Sequence, residues 1–465
     1  MKNLYESSAK FDKNAIESLG ISELVLQENA ARAVAQIIRQ NLKPHSKILA
    51  LCGKGNNASD AIAALRMLSG EYKCGLVLLE DNINQNAKIQ LNIAKNVGVE
   101  ILNLDLISDF NEFDCLVDGI FGSGFRGEMM PKIANIINLA NAANCLKIAV
   151  DISSGISQNA QVAKQVFKAD FTICMGVLKL GLYSDKAKDF TGEISLANLG
   201  IDESKFSYGD CDYLLLLEDL ELPSREVQNV NKGDFGHAFI ACGDMSGAAN
   251  IAARAALKMG SGRVSIVNLT QKNSINIDPQ IMLKSSFDNA DVVGFGMGLG
   301  GASLDFDKLK GLRCVVDADA FYKPWIRDFA MSEMVVLTPH PKEFSSLLMM
   351  CDMGEFDIDE IQNNRFELAR KFSLKFPSTL VLKGANPIIA KDGRLYIASS
   401  GSSKLAVGGS GDALVGIIVA YLANGFTPLK AAINGVLAHQ KSAYIYKGNE
   451  YSFTPNDIIK GLEWL

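Results

Sequence analysis

The chain is organised around Lys404-Leu405-Ala406-Val407-Gly408-Gly409-Ser410-Gly411-Asp412-Ala413-Leu414-Val415-Gly416, a glycine-rich turn that runs directly into a helix. From Asp412 to Leu422 the residues are almost all apolar, which predicts a buried helix. Asn424-Gly425 then supplies the left-handed residue at which such a helix ends. A turn of this kind before a buried helix is typical of an α/β protein that binds phosphate groups.

One acidic side chain, Asp412, lies in the first turn of this helix. The free N–H groups of Ser410, Gly411 and Asp412 and the positive helix end form a site for phosphate oxygens. An acid in this place can also be a simple helix cap. Three glycines within four residues favour a catalytic role for Asp412 over a capping role, because a cap does not need them. We therefore expect Asp412 to face the phosphate and to take a proton from an attacking hydroxyl.

Length and composition favour a two-domain enzyme. A chain of 465 residues exceeds one ordinary core, so two α/β domains are expected. A net charge of −6 argues against duplex nucleic acid as a partner. The N-terminus has no apolar signal core, and no apolar stretch is long enough to span a bilayer. We expect a cytoplasmic enzyme without membrane or nucleic-acid partners, and a homo-oligomer.

The first half of the chain alternates strand and helix patterns. A short apolar strand, Lys47–Cys52, leads into the polar glycine turn Gly53–Asp60 and then into a helix at 61–68, the pattern of a nucleotide-binding unit. Before it, 14–42 shows helical spacing with a break at Gly20. Further strands are predicted at 75–79, 100–104, 115–118, 148–151, 171–174 and 194–196, and helices at 85–97 and 131–142. A Rossmann-like three-layer domain with a mostly parallel sheet is expected.

Three polar turns follow strands of this sheet: Gly53–Asp60, Asp118–Gly127 and Asp151–Gly155. They should converge at the carboxyl edge, where such sheets bind ligands. The middle turn has several glycines and an arginine, which suits a diphosphate held by backbone N–H groups. Asn57, Asp118 and Ser154 offer hard oxygen ligands for an alkali or alkaline-earth cation. Alternatively, Asn and Asp occupy such turns for backbone geometry alone.

The periodic pattern is lost between 202 and 232, which predicts domains at 1–212 and 225–465. The second half begins with a strand at 237–242, a glycine turn at 243–247 and a helix at 248–259. Strands follow at 264–267, 292–295, 315–317, 335–337 and 380–382, and Asp392-Gly393 marks a hairpin within 387–397. Polar or glycine clusters again follow the strands, at 294–300, 317–319, 338–343 and 383–386. These clusters should lie at the same edge as Asp412.

Four other features are interpreted as solvated, core or linker positions. They are His45, His439, the Met349-Met350 pair and the leucine run Leu214–Leu217.

The spaced motifs resemble those of one family, the bifunctional NAD(P)H-hydrate repair enzymes, over nearly the whole chain. The first half is similar to the NAD(P)HX epimerase domain at 53–60, 118–126, 151–155 and 179–182. The second half is similar to the ADP- or ATP-dependent NAD(P)HX dehydratase, which has a ribokinase-like fold, at 232–237, 247–248, 296–300, 340–343, 383–385 and 408–412.

The resemblance implies a substrate, reduced nicotinamide cofactor with water added to its ring, present as two epimers. The first domain would interconvert the epimers with K⁺ bound by Asn57, Asp118 and Ser154. The second would use ADP, or ATP, with Mg²⁺ to dehydrate the S form, releasing AMP and phosphate. Phosphorylation would turn the poor hydroxyl leaving group into a good one, with Asp412 as the catalytic base.

The resemblance also assigns the binding residues. In the first domain the substrate would contact Asn56, Asn57, Asp60, Gly122, Ser123, Gly124, Phe125, Arg126 and Asp151. In the second it would contact Ala248, Gly298, His340 and Asp412. The nucleotide would contact Lys383, Gly384, Ala385, Asn386, Gly409, Ser410 and Gly411.

The chain departs from the family pattern in the first domain. Ala58-Ser59 replaces two glycines, and Ser153 replaces a proline. Side chains are tolerated at 58 and 59 if the turn there has become the first turn of its helix, whereas positive φ values would impose strain.

Two other functions remain open from the sequence. The first is a small-molecule kinase of the same ribokinase-like fold, with the first half as a nucleotide-sensing module. Such kinases have Asn-x-x-Glu where this chain has His340-Pro341-Lys342-Glu343, and Asn364-Arg365-Phe366-Glu367 falls in a helical pattern instead. The second is a first domain that only binds a nucleotide derivative, against which the retained Asn57, Asp60, Asp118 and Asp151 argue.

Overall fold

Two compact units make up the chain in the computed structural model, which describes residues 1–107, 109–270 and 277–465. The first unit is Asn3–Cys211, and the second is Asp212–Leu465 together with Met1–Lys2. Both units are α/β, which confirms the predicted fold class. Among the described helices, none has the length and apolar character that crossing a membrane requires.

The first unit is built on a parallel sheet. Its strands are β1 (Lys2–Tyr5), β2 (Lys47–Cys52), β3 (Lys73–Leu78), β4 (Glu100–Ile101), β5 (Cys115–Gly119), β6 (Leu146–Val150), β7 (Phe171–Met175), β8 (Leu178–Lys179) and β9 (Glu193–Ala197). Its helices are α1 (Ala9–Glu17), α2 (Glu23–Asn41), α3 (Asn56–Leu68), α4 (Gln85–Asn96), α5 (Pro131–Ala142), α6 (Lys188–Thr191) and α7 (Glu203–Phe206). The sheet order is β4-β3-β2-β5-β6-β7-β9, and β1 pairs in parallel with β8.

Side-chain alternation along β2 explains the three layers of this unit. Ile48, Ala50 and Cys52 point into a core that contains buried residues of α2 and α3. Leu49 and Leu51 point to the opposite face, into a core that contains buried residues of α5. A strand that is apolar on both faces must be covered on both faces, so helices lie on each side of the sheet.

The second unit has a longer, mixed sheet. Its strands are β10 (Asp212–Leu215), β11 (His237–Cys242), β12 (Arg263–Asn268), β13 (Met282–Lys284), β14 (Val292–Phe295), β15 (Arg313–Val316), β16 (Val335–Leu337), β17 (Thr379–Leu382), β18 (Ile388–Lys391) and β19 (Arg394–Ala398). Its helices are α8 (Ser246–Lys258), α9 (Ile326–Ala330), α10 (Pro341–Met350), α11 (Ile358–Asn363), α12 (Arg365–Lys375), α13 (Ser410–Ala423), α14 (Pro428–Tyr444) and α15 (Pro455–Gly461). The order is β13-β12-β11-β14-β15-β16-β17-β18-β19-β10, antiparallel only where β18 meets β17 and β19 among these described pairs.

Helix α13 is the buried helix that the glycine-rich turn predicted. Every residue from Ala413 to Leu422 is buried. It packs closely on α8, since a Cβ on Gly416 would lie 2.0 Å from the carbonyl oxygen of Ala252. Only glycine allows the two helices to approach so closely at this point.

The predicted strands and helices are present, with ends that shift by a few residues, whereas helix α14 and several short elements were not predicted. The break in the first helical region is confirmed, because Gly20 has a φ of +71° and separates α1 from α2. The hairpin is confirmed as β18 and β19, which flank Asp392-Gly393. Strands β1, β8 and β13 were not predicted, because two to four residues are too few to show an alternating pattern.

The second unit begins at Asp212, before the predicted domain start at residue 225. Strand β10 pairs in parallel with β19, so the chain enters the second sheet at Asp212. The Asp212 carboxylate also accepts hydrogen bonds from the Arg370 guanidinium at 3.0 and 2.6 Å. The leucine run that begins at Leu214 was interpreted as core or linker, and its first two residues are buried strand residues.

Candidate active sites

The predicted residues of the second unit lie at one edge of its sheet. Strands β11, β14, β15, β16 and β17 are parallel neighbours, so their carboxyl ends meet at the same edge. The segments that follow these strands carry Ala248, Gly298, Asp317, His340 and Lys383, respectively. Ligands of open α/β sheets bind at this edge.

The turn before α13 depends on glycine at position 409. Gly409 is the N-cap and has a φ of +90°. A Cβ there would also lie 2.8 Å from Pro455 Cγ and 2.9 Å from Ile251 Cδ1. The left-handed backbone and the lack of space both exclude a side chain. The Ser410 N–H donates to the Val407 carbonyl at 3.2 Å, whereas the N–H groups of Gly411 and Asp412 have no partner among the described residues and stay free for an anion.

Lys383 lies beside this helix start and is held by two carboxylates. Its Nζ donates to Asp317 Oδ1 at 2.6 Å and lies 3.6 Å from Glu343 Oε2. Burial opposes the charge of Lys383, but the two carboxylates outweigh it and raise its pKa. A Cβ on Gly411 would lie 3.6 Å from Lys383 Nζ and 3.7 Å from Asp317 Oδ2. A charged ammonium therefore lies close to the N–H groups of α13, as a phosphate site needs.

Asp412 has the protonation behaviour of a base that works near neutral pH. Burial, and then the neighbouring Asp317 carboxylate, raise the pKa of Asp412 to about 6, against the opposing effect of Lys383. A base with a pKa just below the working pH is ionised and still accepts a proton readily. This supports the chemical role over the simple cap, because no side-chain cap bond is made at this helix start.

His340 is fixed in orientation as the N-cap of α10. Its Nδ1 accepts hydrogen bonds from the backbone N–H groups of Lys342 and Glu343, at 3.1 and 3.3 Å. Its Nε2 lies 3.1 Å from Glu343 Oε1. Burial and the nearby Lys383 charge lower the pKa of His340, so the ring is neutral at pH 7. Burial raises the pKa of Glu343 to about 7.

Ala248 and Gly298, both predicted to contact substrate, lie next to each other. Gly298 has a φ of +56°, and a Cβ on it would lie 2.6 Å from Met245 Cβ and 3.4 Å from Ala248 Cβ. The Met245 N–H donates to the Gly298 carbonyl at 3.1 Å, which joins the loop after β14 to the start of α8.

Two residues of this site were not assigned a role from the sequence. The buried guanidinium of Arg365 donates to the carbonyls of Leu382 and Lys383, at 3.3 and 3.2 Å, and so supports the segment with Gly384, Ala385 and Asn386. His439 was interpreted as structural and is indeed buried, with Nε2 3.0 Å from Ser410 Oγ. Burial lowers the pKa of His439 to about 4, so a neutral ring holds the first residue of α13. Both contacts cross long sequence separations, so no local pattern indicates them.

In the first unit, five predicted residues line one cavity of about 170 Å³: Asn56, Asn57, Asp60, Ser123 and Asp151. Other predicted residues lie elsewhere. Phe125 and Arg126 line a second cavity of about 250 Å³, together with Gly127 and residues 157–159 and 161–163. Gly122 lies against Asn57, since a Cβ there would be 2.6 Å from Asn57 Oδ1. Gly124 has open space around it.

The three residues predicted to hold a cation lie around the carbonyl of Phe121. Ser154 Oγ donates to buried Asp118 at 2.6 Å and is 3.4 Å from this carbonyl. Asn57 Nδ2 lies 3.0 Å from the same carbonyl and 2.6 Å from that of Val150. Burial raises the pKa of Asp118 to about 6. The set is rich in oxygen and contains no sulfur, as alkali cations prefer.

Asp151 forms a buried ion pair with Lys179. Its Oδ1 accepts from Lys179 Nζ and from the backbone N–H of Met175, the latter at 3.0 Å. Lys179 is fully buried, and burial opposes its charge, but Asp151 and weaker neighbouring effects together outweigh burial and raise its pKa. Asp151 itself has a φ of +68°, a conformation that the pair and the backbone bond hold in place.

The departures from the family pattern cause no strain. Ala58 and Ser59 are buried within α3, and neither has a positive φ, so the turn has become the first turn of the helix. Ser153 Oγ bonds to Thr172 Oγ1 and to the Phe190 carbonyl, at 3.3 and 3.2 Å.

Helices α1 and α2 add four polar cavity residues that were not predicted: Ser8 (just before α1), Asp12, Glu23 and Gln27. Glu23 accepts a hydrogen bond from Asn56 Nδ2 at 2.9 Å, so Asn56 links α2 to the glycine turn. One signal was available for Gln27. It is a polar residue in line with Ala30 and Val34, on the buried stripe of an amphipathic helix.

Comparison with known proteins finds a family match for each of the two units. Residues 238–463 match the family model described as NAD(P)H-hydrate dehydratase, and residues 23–181 match YjeF-related protein N-terminus. A Helicobacter pylori protein named bifunctional NAD(P)H-hydrate repair enzyme Nnr is 39% identical, over all of both chains. The Escherichia coli protein of that name is 28% identical over 93% of this chain and 87% of its own.

A solved structure is similar to part of the chain. It is the ADP/ATP-dependent NAD(P)H-hydrate dehydratase of Bacillus subtilis, co-crystallised with ATP/Mg²⁺. It is 22% identical with a TM-score of 0.44, and the match covers 54% of this chain and 96% of that one.

Proposed function

This chain belongs to the bifunctional NAD(P)H-hydrate repair enzymes, and we propose that Asp412 is the base of its dehydration reaction. The enzyme epimerises hydrated NADH and NADPH and dehydrates them to the reduced cofactor. Asn3–Cys211 carries the epimerase site and Asp212–Leu465 the dehydratase site, an assignment supported by the family models that match each part.

The observation that carries the proposal is the position of Asp412 beside the free N–H groups of α13 and the Lys383 ammonium. Water adds to an enamine at the carbon bonded to nitrogen, so the hydrate has its hydroxyl beside the ring nitrogen. Asp412 takes the hydroxyl proton while the oxygen attacks the terminal phosphorus of the nucleotide. The turn Gly409–Gly411 holds the phosphoryl group in transfer, with Gly411 supplying a free backbone N–H group.

The phosphorylated hydroxyl then leaves without an acid catalyst. The ring nitrogen donates its electron pair as the carbon–oxygen bond breaks, and loss of a proton from the next carbon restores the reduced ring. With ADP as donor, the products are NAD(P)H, AMP and phosphate, formed from the S epimer. ATP would serve in the same site, with ADP as the product.

Lys383, Gly384, Ala385 and Asn386 bind the nucleotide, and Ala248, Gly298 and His340 bind the hydrated cofactor. Mg²⁺ fits this site, because that ion is commonly held by one or two carboxylates together with substrate phosphates. Asp317 and Glu343, both buried beside Lys383, are the residues that would hold it. The ion would neutralise the phosphate charge during transfer.

A K⁺ ion fits the Asp118–Ser154–Asn57 cluster of the epimerase unit. The carbonyls of Phe121 and Val150 point at the same place as the Asn57 amide, at 3.0 and 2.6 Å. Rotation of that amide by 180° would offer the ion an oxygen in place of the NH₂ group. The bound charge would stabilise the phosphate-binding turn that begins at Gly122.

The pH dependence of dehydration tests the role of Asp412. Asp412 acts only when ionised and its pKa is raised to about 6. We therefore expect kcat to fall about tenfold for each pH unit below about 6 and to level off above it. The measurement is the initial rate of NADH formation from pure S hydrate at saturating ADP, between pH 5 and 8.

Glu343 is the second acid of this site with a raised pKa, about 7 because of burial. Its variant Glu343→Gln should lower kcat at all pH values through the loss of a Mg²⁺ ligand. Glu343→Gln should keep the fall in kcat below about pH 6. Asp412→Glu should move that fall to a different pH. A rate that stays constant down to pH 5 would contradict Asp412 as the base.

A further inference from the structure

The cavity of the first unit contains buried polar atoms that lack partners. Gln27 is only 4% exposed, and neither Oε1 nor Nε2 has a hydrogen-bond partner among the described residues. Asp60 is 7% exposed, and its Oδ1 likewise has none there. Both residues line the same cavity. Buried polar groups are nearly always hydrogen-bonded in folded proteins. These atoms therefore indicate a ligand that supplies their missing hydrogen bonds.

Two carboxyl groups at this cavity are not fully engaged by the protein. Glu23 is bonded to Asn56, and Asp151 is paired with Lys179. Asp12 accepts a hydrogen bond only from Ser8 Oγ, at 2.8 Å, among the bonds described for it. Asp60 and Asp12 thus remain as acids from two different helices, α3 and α1, that face one space.

The surroundings of these two acids favour the protonated form. Burial is the main cause of the raised pKa of both Asp12 and Asp60. The charges facing Asp60 are Asp151, Asp12 and Glu23, which raise its pKa further, and Lys179, which lowers it. The charges of Asp151 and Glu23 also raise the pKa of Asp12, and the charge of Lys179 lowers it. A pair of such carboxyls can hold one proton between them at neutral pH.

Such a pair suits the chemistry of epimerisation. The two hydrate epimers differ only at the hydroxyl-bearing carbon beside the ring nitrogen, so a bond to that carbon must break and form again. A protonated carboxyl can assist departure of the hydroxyl, and a carboxylate can activate the water that returns. The intermediate is a positively charged iminium ion, which an acidic pocket stabilises.

We propose that this cavity holds the hydrated nicotinamide ring, with Gln27 bonded to the ring's carboxamide and with Asp12 and Asp60 exchanging protons at the hydroxyl-bearing carbon. The inference rests on the proposed assignment of epimerisation to this unit. Gln27 suits a carboxamide, because each group has one carbonyl acceptor and one NH₂ donor and the two can pair reciprocally.

The reaction balances without any other reactant. One carboxyl gives its proton to the hydroxyl, the carbon–oxygen bond breaks, and water leaves while the nitrogen electron pair forms the C=N bond. Water then attacks the opposite face, the new carbon–oxygen bond forms, and the C=N electrons return to nitrogen. The other carboxylate takes the proton that the water loses. The reverse reaction restores the first protonation state.

The test uses the full-length enzyme and pure R hydrate without nucleotide, with epimers separated by chromatography. Asp12→Asn and Asp60→Asn should each lower kcat of epimerisation by at least about a hundredfold. Gln27→Met should raise KM by about tenfold with a smaller change in kcat. Dehydration of pure S hydrate should stay normal in all three. Glu17→Gln is the matched control, since Glu17 is an exposed acid at the end of α1 that pairs only with Lys13 among the ion pairs described.

Two further measurements separate chemistry from folding. In H₂¹⁸O, each wild-type turnover should place solvent oxygen in the hydroxyl, beyond the rate without enzyme. Asp12→Glu should recover part of the activity that Asp12→Asn loses, which a folding defect would not predict.

Several results would overturn the inference. They are normal epimerisation by both asparagine variants, an unchanged KM in Gln27→Met, and epimerisation that retains the original oxygen. A wild-type enzyme that does not epimerise the hydrate at all would instead contradict the proposed function of this unit.

Discussion

Asp412→Asn should lower nucleotide-dependent dehydration by roughly two to four orders of magnitude, because the amide cannot take the hydroxyl proton. The substitution keeps the size of the side chain, and no side-chain cap bond is lost at the start of α13. Epimerisation should be unchanged, since its site lies in the other unit. The measurement is kcat for NADH formation from S hydrate, with epimerisation of R hydrate followed in parallel.

The matched control is Asp359→Asn, which removes an exposed acid from the first turn of α11. It should leave both activities unchanged. If Asp412→Asn dehydrates within about tenfold of the wild type, Asp412 is not the base. If it also loses epimerisation, the two sites are not independent.

Lys179→Met should destabilise the first unit by about 3–5 kcal/mol, because it leaves the Asp151 carboxylate buried without its partner. Both side chains are at least nine-tenths buried, so water cannot replace the lost ammonium. Asp151 also occupies a left-handed conformation at φ +68°, which its bonds must maintain. The measurement is native-state hydrogen exchange at increasing urea, read from amides of residues 3–211.

A double variant tests the cause of this loss. Lys179→Met with Asp151→Asn removes both charges, and asparagine tolerates the positive φ, so it should be more stable than Lys179→Met alone. Lys13→Met is the matched control, because Lys13 is exposed on α1, and it should change stability by less than about 0.5 kcal/mol. A Lys179→Met enzyme as stable as wild type would show that the pair contributes little.

The sequence predicts the glycine turns well, because turn chemistry is local. Gly409 needs a positive φ, and Asp412 follows it at a fixed spacing, so both could be placed without knowledge of the fold. The same holds for Asn57, in the first turn of the helix after β2, and for Asp118, near the end of β5. The parallel arrangement then brings such turns to one edge.

The contribution of residues that lie far in sequence from the motifs of a site could not be predicted. Asp12 and Gln27 lie on helices that precede the first strand of the main sheet. The place of Gln27 on a buried stripe indicates a buried polar group, but nothing local indicates that these helices approach the edge of the sheet. Arg365 and His439 act on the second site through contacts that span 17 or more residues. Strand β10 has only four residues, and its partner β19 lies far along the chain. These features depend on tertiary packing, which overrides local pattern.

One incubation tests the central claim most directly: pure enzyme with a mixture of the two NADH hydrate epimers, with and without ADP. The absorbance of NADH and the amounts of AMP and phosphate are followed together. With ADP, the whole mixture should become NADH, with one AMP and one phosphate released for each molecule repaired. Without ADP, the epimers should interconvert and no NADH should form. Accumulation of a stable phosphorylated product in place of NADH would contradict the account and indicate a kinase.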